Sequence, residues 1–235
     1  NGGLAGTRTT AAMPVLEGEP AWSWTASSLP TTSLVAAADT AYLGLTDGVL
    51  VAIALDSGEE RWRVPVPGLL ESAPAVVDDR LYVGYRPGRL AALDRETGDT
   101  LWEADLGISI STTPVVVDGI VFVAANGLLA AFDAEDGAPI WRQSLSDTLV
   151  PVTPAIDDDT LAVATYDRVL IFDRSNGQQL TWVKLAPQHA PISAVAIIED
   201  RIIVTANGQT LAIDEDMRRP WWDPIRPAWE FLHIV

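Results

Sequence analysis

Residues 72–102 read SAPAVVDDRLYVGYRPGRLAALDRETGDTLW, and residues 112–141 read TTPVVVDGIVFVAANGLLAAFDAEDGAPIW. The two stretches repeat one another almost position by position and end on tryptophans 39 residues apart, Trp102 and Trp141. Working outward, the same phase holds at Trp22, Trp62, Trp182 and Trp221 or Trp222, so the chain repeats at a period near 40 residues. Self-similarity at a fixed period of this length is the signature of a repeat architecture.

Each unit divides into four short apolar or alternating runs separated by turn residues, the pattern of antiparallel strands joined by hairpins. In the unit ending at Trp141 the runs are 114–117, 120–124, 128–132 and 139–143. The first turn is acidic, as at Asp78-Asp79, Asp118-Gly119 and Asp157 to Asp159, with Glu199-Asp200 as a further instance. The second turn uses Asp47-Gly48, Asn126-Gly127 and Asn207-Gly208, residue types that tolerate the positive φ of a tight hairpin. The third is the most regular: Asp94 to Gly98, Asp133 to Gly137 and Asp173 to Gly177. An Asp opening such a turn accepts bonds from backbone amides downstream, and the Gly closes it. Four strands per unit at this period predict an all-β fold, a β-propeller of four-stranded antiparallel blades, about five in this chain.

The wording Ala92-Leu93-Asp94-x-x-Thr97-Gly98-x-x-x-Trp102 resembles the tryptophan-docking repeat of PQQ-like propellers, over roughly Trp22 to Trp222. That family includes quinoprotein alcohol dehydrogenases, the propeller lipoprotein of the outer-membrane β-barrel assembly machine and many secreted bacterial proteins. The resemblance implies domain bounds: a lead-in over 1–21, propeller repeats over 22–222 and a Pro/Trp-rich tail over 223–235. The first unit departs from the motif with Ala54 in the Asp position, and the last lacks Thr-Gly between Asp214 and Pro220, as terminal repeats commonly do. Members of the family usually carry seven or eight blades. Two geometries therefore stand open: the strand around Trp22 closes a five-bladed ring with residues 195–213, or the chain is an arc of a larger propeller, which the apolar run 231–235 favours.

Composition removes several classes of function. A formal net charge of −17 repels polyanions, so nucleic acid and anionic lipid are poor partners. There is no cysteine, hence no disulfide or thiolate site, and no apolar run long enough to span a bilayer. His189 and His233 lack zinc-ligand spacing. The acidic loop 157–159 reads first as a solvated turn. Dehydrogenases of the resembling family require a vicinal Cys pair, calcium-binding Glu and Asn and a catalytic Asp in long inter-blade loops, and this sequence has neither the cysteines nor the loops. The expectation is therefore no catalytic, cofactor or metal residue.

What remains is structural and associative. Trp62, Trp102, Trp141 and Trp182 are expected to pack between neighbouring blades with their indole N–H bonded to the next repeat, beside turns held by Asp94, Asp133 and Asp173 and by Gly98, Gly137 and Gly177. Trp221, Trp222, Trp229 and Phe231, in a segment dense in Trp and Pro, are candidate partner-binding anchors. The functional expectation is a non-catalytic, extracytoplasmic scaffold binding a protein partner or self-assembling through exposed blade edges. The alternatives are a PQQ- and calcium-dependent dehydrogenase-like enzyme and an outer-membrane assembly accessory propeller. A membrane anchor upstream of the given sequence is compatible with each.

Overall fold

Alternation within strands and turn chemistry between them produce a series of antiparallel meanders in the computed structural model, which describes residues 20–186, 189–198 and 201–213. The first sheet holds β1 (Val35–Ala37), β2 (Thr40–Gly44), β3 (Val49–Ala54) and β4 (Glu60–Pro65). The second holds β5 (Ala75–Val77), β6 (Arg80–Tyr85), β7 (Arg89–Asp94) and β8 (Thr100–Asp105). The third holds β9 (Val115–Val117), β10 (Ile120–Ala125), β11 (Leu128–Asp133) and β12 (Pro139–Ser144), within a residue or two of the runs expected from sequence. The fourth holds β13 (Ala155–Ile156), β14 (Thr160–Ala164), β15 (Arg168–Asp173) and β16 (Gln179–Lys184). The last described sheet has three strands, β17 (Ile192–Ile198), β18 (Arg201–Ala206) and β19 (Gln209–Ile213).

Strand order in every sheet follows sequence order, so each is one blade. Neighbouring blades approach through their first strands, β1 to β5, β5 to β9 and β13 to β17, which places those strands nearest the propeller axis and the fourth strands at the rim. The second and third strands of the four-stranded blades are buried on both faces, because each blade is sandwiched between its neighbours. Each inter-blade seam is a separate apolar cluster. Leu50, Leu81, Val83 and Leu93 fill the first, Val121, Val123 and Phe132 the second, Leu161, Leu170 and Phe172 the third, and Ile171, Val183, Ile202 and Val204 the fourth.

The segment at 20–26 does not close a ring. Among the described residues it forms no ladder with β17, β18 or β19, and instead lies against the first blade, with Trp22, Trp24 and Ala26 packed on Leu43, Leu45, Val51 and Ile53. The molecule is an incomplete propeller, the arc rather than the five-bladed ring.

Candidate functional site

The recurrent Trp is the residue type most able to serve as a ligand platform, and the fold decides what each one does. In the second, third and fourth blades the turn after the third strand presents a carbonyl and a glycine to the rim strand of the blade before it. The Trp62 indole donates to the Arg95 carbonyl at 3.0 Å, Trp102 to Ala134 at 3.1 Å and Trp141 to Arg174 at 3.0 Å. Each ring also tilts against an aromatic of its own blade: Tyr42 at 5.9 Å, Tyr82 at 6.0 Å and Phe122 at 6.1 Å between centroids. Gly137 shows why glycine is required at the dock. Its φ is +73°, and a Cβ there would lie 2.5 Å from the Trp102 ring.

Trp22 makes the same contact, donating to the Leu55 carbonyl at 2.8 Å and lying over Gly58, so the segment at 20–26 occupies the place of a rim strand belonging to a preceding blade. Trp24 adds a bond to Glu60 at 2.8 Å.

Trp182 departs from the expected docking position. In the other blades the Trp pairs across the ladder with Ala52, Ala92 or Ala131, but in the fourth blade the equivalent Ile171 pairs with Thr181. Thr181 is buried and Trp182, one residue on, faces the opposite side of the strand at 44% exposure. A one-residue offset in a strand exchanges its two faces. There the Trp182 ring carries the Arg168 guanidinium 5.2 Å from its centroid. The signal was in the sequence: Gly58, Gly98 and Gly137 precede their Trp by four residues, and Gly177 precedes Trp182 by five.

The turn aspartates are engaged locally. Asp94 accepts from the backbone N–H of Glu96 and Thr97 at 2.9 Å each, Asp133 from Glu135 at 2.7 Å and Asp173 from Ser175 at 2.8 Å. The Thr97 amide, with smaller help from Glu96, holds the Asp94 carboxyl below its ordinary range, and the Ser175 hydroxyl does the same for Asp173. Asp157 accepts from the amides of Asp159 and Thr160 within its own loop.

Sequence reasoning missed the arginines that stitch blades together on this same rim. Arg80 of the second blade donates to the Ala134 and Glu135 carbonyls of the third. Arg174 of the fourth, buried at its turn, donates to the Asp157 and Asp158 carbonyls and reaches Asp118 of the third at 2.5 Å. A cleft of about 610 Å³ between the second and third blades is lined by Asp78, Asp79, Arg80, Asp118, Asp133 and Glu135. No group of three or more His, Cys, Asp or Glu among the described residues is placed to hold a metal ion.

Around the axis, the first strands offer Val35, Ala36, Ala75, Val76, Val115, Val116, Ala155 and Ile156. None of these side chains can ligate calcium or move a proton, and the two carboxylates in the crossovers leading into them, Glu71 and Asp147, belong to different blades and are each paired with an arginine, Arg86 and Arg168. The donor set therefore does not fit a pyrroloquinoline quinone and calcium site. Trp221, Trp222, Trp229 and Phe231 lie outside the described residues, as does the Glu199-Asp200 turn. Among the described residues no helix is long and apolar enough to cross a membrane.

The family model described as "Outer membrane protein assembly factor BamB" matches residues 4–69 and 46–226. No curated protein matches the chain. Among solved structures it is similar to BamB from Moraxella catarrhalis, with 21% identity and a TM-score of 0.70, over 86% of this chain and 66% of that one. It is similar also to a quinohemoprotein alcohol dehydrogenase from Comamonas testosteroni, with 17% identity and a TM-score of 0.64, over 80% of this chain and 41% of that one. A computationally designed protein, Ika8, aligns at 16% identity with a TM-score of 0.67, over 76% of this chain and 56% of that one. The chain thus spans about two thirds or less of each of these structures.

Proposed function

The chain belongs to the PQQ-like repeat propeller family whose model is described as outer membrane protein assembly factor BamB, and from that membership we propose that it is a non-catalytic, extracytoplasmic propeller that binds other proteins, in the manner of an outer-membrane assembly accessory. The observation that carries this reading is the chemistry of the axis. The first strands of the four-stranded blades present only Ala, Val and Ile, and the crossover carboxylates Glu71 and Asp147 sit in different blades, each paired with an arginine, so the branch without a redox cofactor fits these residues better.

The turn aspartates Asp94, Asp133 and Asp173 add support, since each accepts bonds from the backbone of its own turn. An acidic surface of this kind associates through electrostatic complementarity with basic patches, which acts on the encounter rate and weakens with salt.

The test has two arms. Purified protein is titrated with pyrroloquinoline quinone and calcium while its melting temperature and dye-linked alcohol oxidation are followed; neither is expected to change. Purified extracytoplasmic domains of the β-barrel assembly machinery are then assayed for direct binding, with an association rate that falls as salt rises. Turnover with the quinone would replace this reading with the enzymatic one, and absence of binding to any assembly component would remove the accessory role.

A further inference from the structure

Asn-Gly occurs at 126–127, 176–177 and 207–208, and the fold holds the three pairs differently. The pair has a chemistry of its own. The carboxamide carbon of an asparagine can close a five-membered imide with the backbone nitrogen of the next residue, and glycine, lacking a Cβ, leaves that nitrogen open to attack it. In a folded chain the ring closes where neither the nitrogen nor the carboxamide is already engaged.

At 176–177 both are engaged. The Gly177 N–H donates to the Asp173 carbonyl at 2.9 Å, and the Asn176 Oδ1 accepts from the Gln178 N–H at 2.8 Å. The turn is also pinned from outside. Gly177 lies against the Trp141 ring, where a Cβ would come within 2.5 Å, and the Trp141 indole is bonded to Arg174 of the same turn. At 207–208 the backbone of Asn207 sits at φ +46°, and its N–H donates to the Pro191 carbonyl at 3.2 Å.

The turn at 126–127 is the converse. Ala125 pairs with Leu128, so β10 and β11 are joined through Asn126 and Gly127 alone. Asn126 is exposed. Neither its side chain nor the Gly127 N–H has a hydrogen-bond partner among the described residues. There is room as well, since a Cβ on Gly127 would meet nothing nearer than the Leu145 carbonyl oxygen at 3.7 Å. The Gly127 carbonyl does the turn's one outside task, accepting from the Leu145 N–H at 2.9 Å.

We propose that Asn126 is a site of spontaneous covalent modification, at which the side-chain amide is hydrolysed through a cyclic imide with water as the co-reactant. The Gly127 nitrogen gives its proton to solvent and attacks the Asn126 Cγ. The new C–N bond forms, the Cγ–Nδ2 bond breaks, and Nδ2 takes a proton from solvent and leaves as ammonia. Water then opens the imide. Attack at Cγ returns an ordinary aspartate, whereas attack at the backbone carbonyl gives isoaspartate, in which the chain runs through the side-chain carbon. No electrons are gained or lost overall.

Position gives the modification its effect. The turn joins a second strand to a third, so the new carboxylate appears on the side of the arc that carries Arg86, Arg89, Arg168 and Lys184. The isoaspartate form adds a carbon to the backbone of a two-residue turn and carries the Gly127 carbonyl away from the Leu145 N–H. Leu145 packs on the seam between the third and fourth blades, so that seam loosens as the protein ages.

The unaltered protein and Asn126→Gln are held in mildly alkaline buffer below the melting temperature and sampled by peptide mass mapping, with isoaspartate read by enzymatic methylation. A parallel sample is held in urea. Asn126 is not among the residues at positive φ, so glutamine keeps the turn, and its longer side chain closes the imide poorly. In the native protein Asn126 is expected to convert, with Asn176 about tenfold or more slower because its turn must first break its hydrogen bonds. In urea the two are expected to convert at comparable rates. The melting temperature of the unaltered protein is expected to fall as Asn126 converts, and that of Asn126→Gln to hold. The proposal is overturned if Asn126 stays intact in the native protein while converting in urea, or if Asn176 converts as fast as Asn126 in the native protein. A melting temperature that stays constant as Asn126 converts overturns the loosening of the seam.

Discussion

Tryptophans spaced alike along this chain are not equivalent, and the difference is energetic. Trp102 is 9% exposed, bonded to Ala134 and seated on Gly137, so Trp102→Ala removes a buried aromatic and leaves a cavity at the seam, a loss of about 3–5 kcal/mol. Trp182, 44% exposed, loses one arginine contact in Trp182→Ala, worth about 0.5–1 kcal/mol. Urea unfolding of the two variants separates them; equal losses would mean that Trp182 is docked after all. The turn aspartates make a second prediction. Asp94 and Asp173 have native carboxyl pKa values lowered from an ordinary 3.8 by bonds they accept, so the native state releases their protons more readily than the unfolded chain. Their contribution is present above that ordinary value and is lost as pH falls through it towards the lowered native values. Asp94→Asn/Asp173→Asn does not titrate, and its stability is expected to fall less steeply below about pH 4 than that of the unaltered chain, read from acid-induced unfolding.

At the scale of strands and turns, the blade is held by pieces of very different legibility. Strand positions in the third blade were readable because one acidic turn and one Asn-Gly turn bracket runs with no competing helical period. The docking of Trp62, Trp102 and Trp141 follows from periodicity, because a large aromatic recurring at one phase packs against the neighbouring repeat. The displaced Trp182 was readable only by measuring from Gly177 instead of from the previous Trp, since the extra residue sits between the turn and the ring. The inter-blade arginines were not readable, because Arg80 and Arg174 reach turns 54 to 56 residues away and no local pattern marks them. Arg174 is the sharper case. It is 7% exposed, crosses to Asp118 and lies 5.7 Å from the Phe122 ring centroid. Arg174→Ala leaves two turn carbonyls without their donor and opens space at the seam, while Asp118 stays solvated, at 72% side-chain exposure. The expected cost is about 2–3 kcal/mol, from the lost bonds and packing rather than from a stranded charge, and thermal unfolding checks it. Asp118→Ala is expected to cost less than about 1 kcal/mol.

For the whole molecule the meander sorts charge by face. Turns between first and second and between third and fourth strands all emerge on one side of the arc, and they carry Asp39, Asp56, Asp78, Asp79, Asp118, Glu135 and Asp136, among others. The turns and crossovers of the opposite side mix Asp47, Glu71, Asp105, Asp147 and Asp167 with Arg86, Arg89, Arg168 and Lys184. Among the described residues the excess negative charge is therefore concentrated on one face, where folding brings like charges together. Two salt effects compete. Screening weakens ion pairs such as Arg61 with Asp39 at 2.6 Å, but these pairs are solvent-exposed and contribute little. Screening also relieves repulsion across the acidic face, and the Debye length shrinks from about 30 Å at 0.01 M to about 8 Å at 0.15 M, which removes blade-to-blade terms and leaves contact pairs less affected. Repulsion wins on this balance, so the melting temperature is expected to rise as sodium chloride is raised over that range. Replacing Asp78 and Asp79 by Asn is expected to shrink that rise, because it discharges one turn of the acidic face. A melting temperature that falls with salt would mean that the exposed pairs outweigh the repulsion.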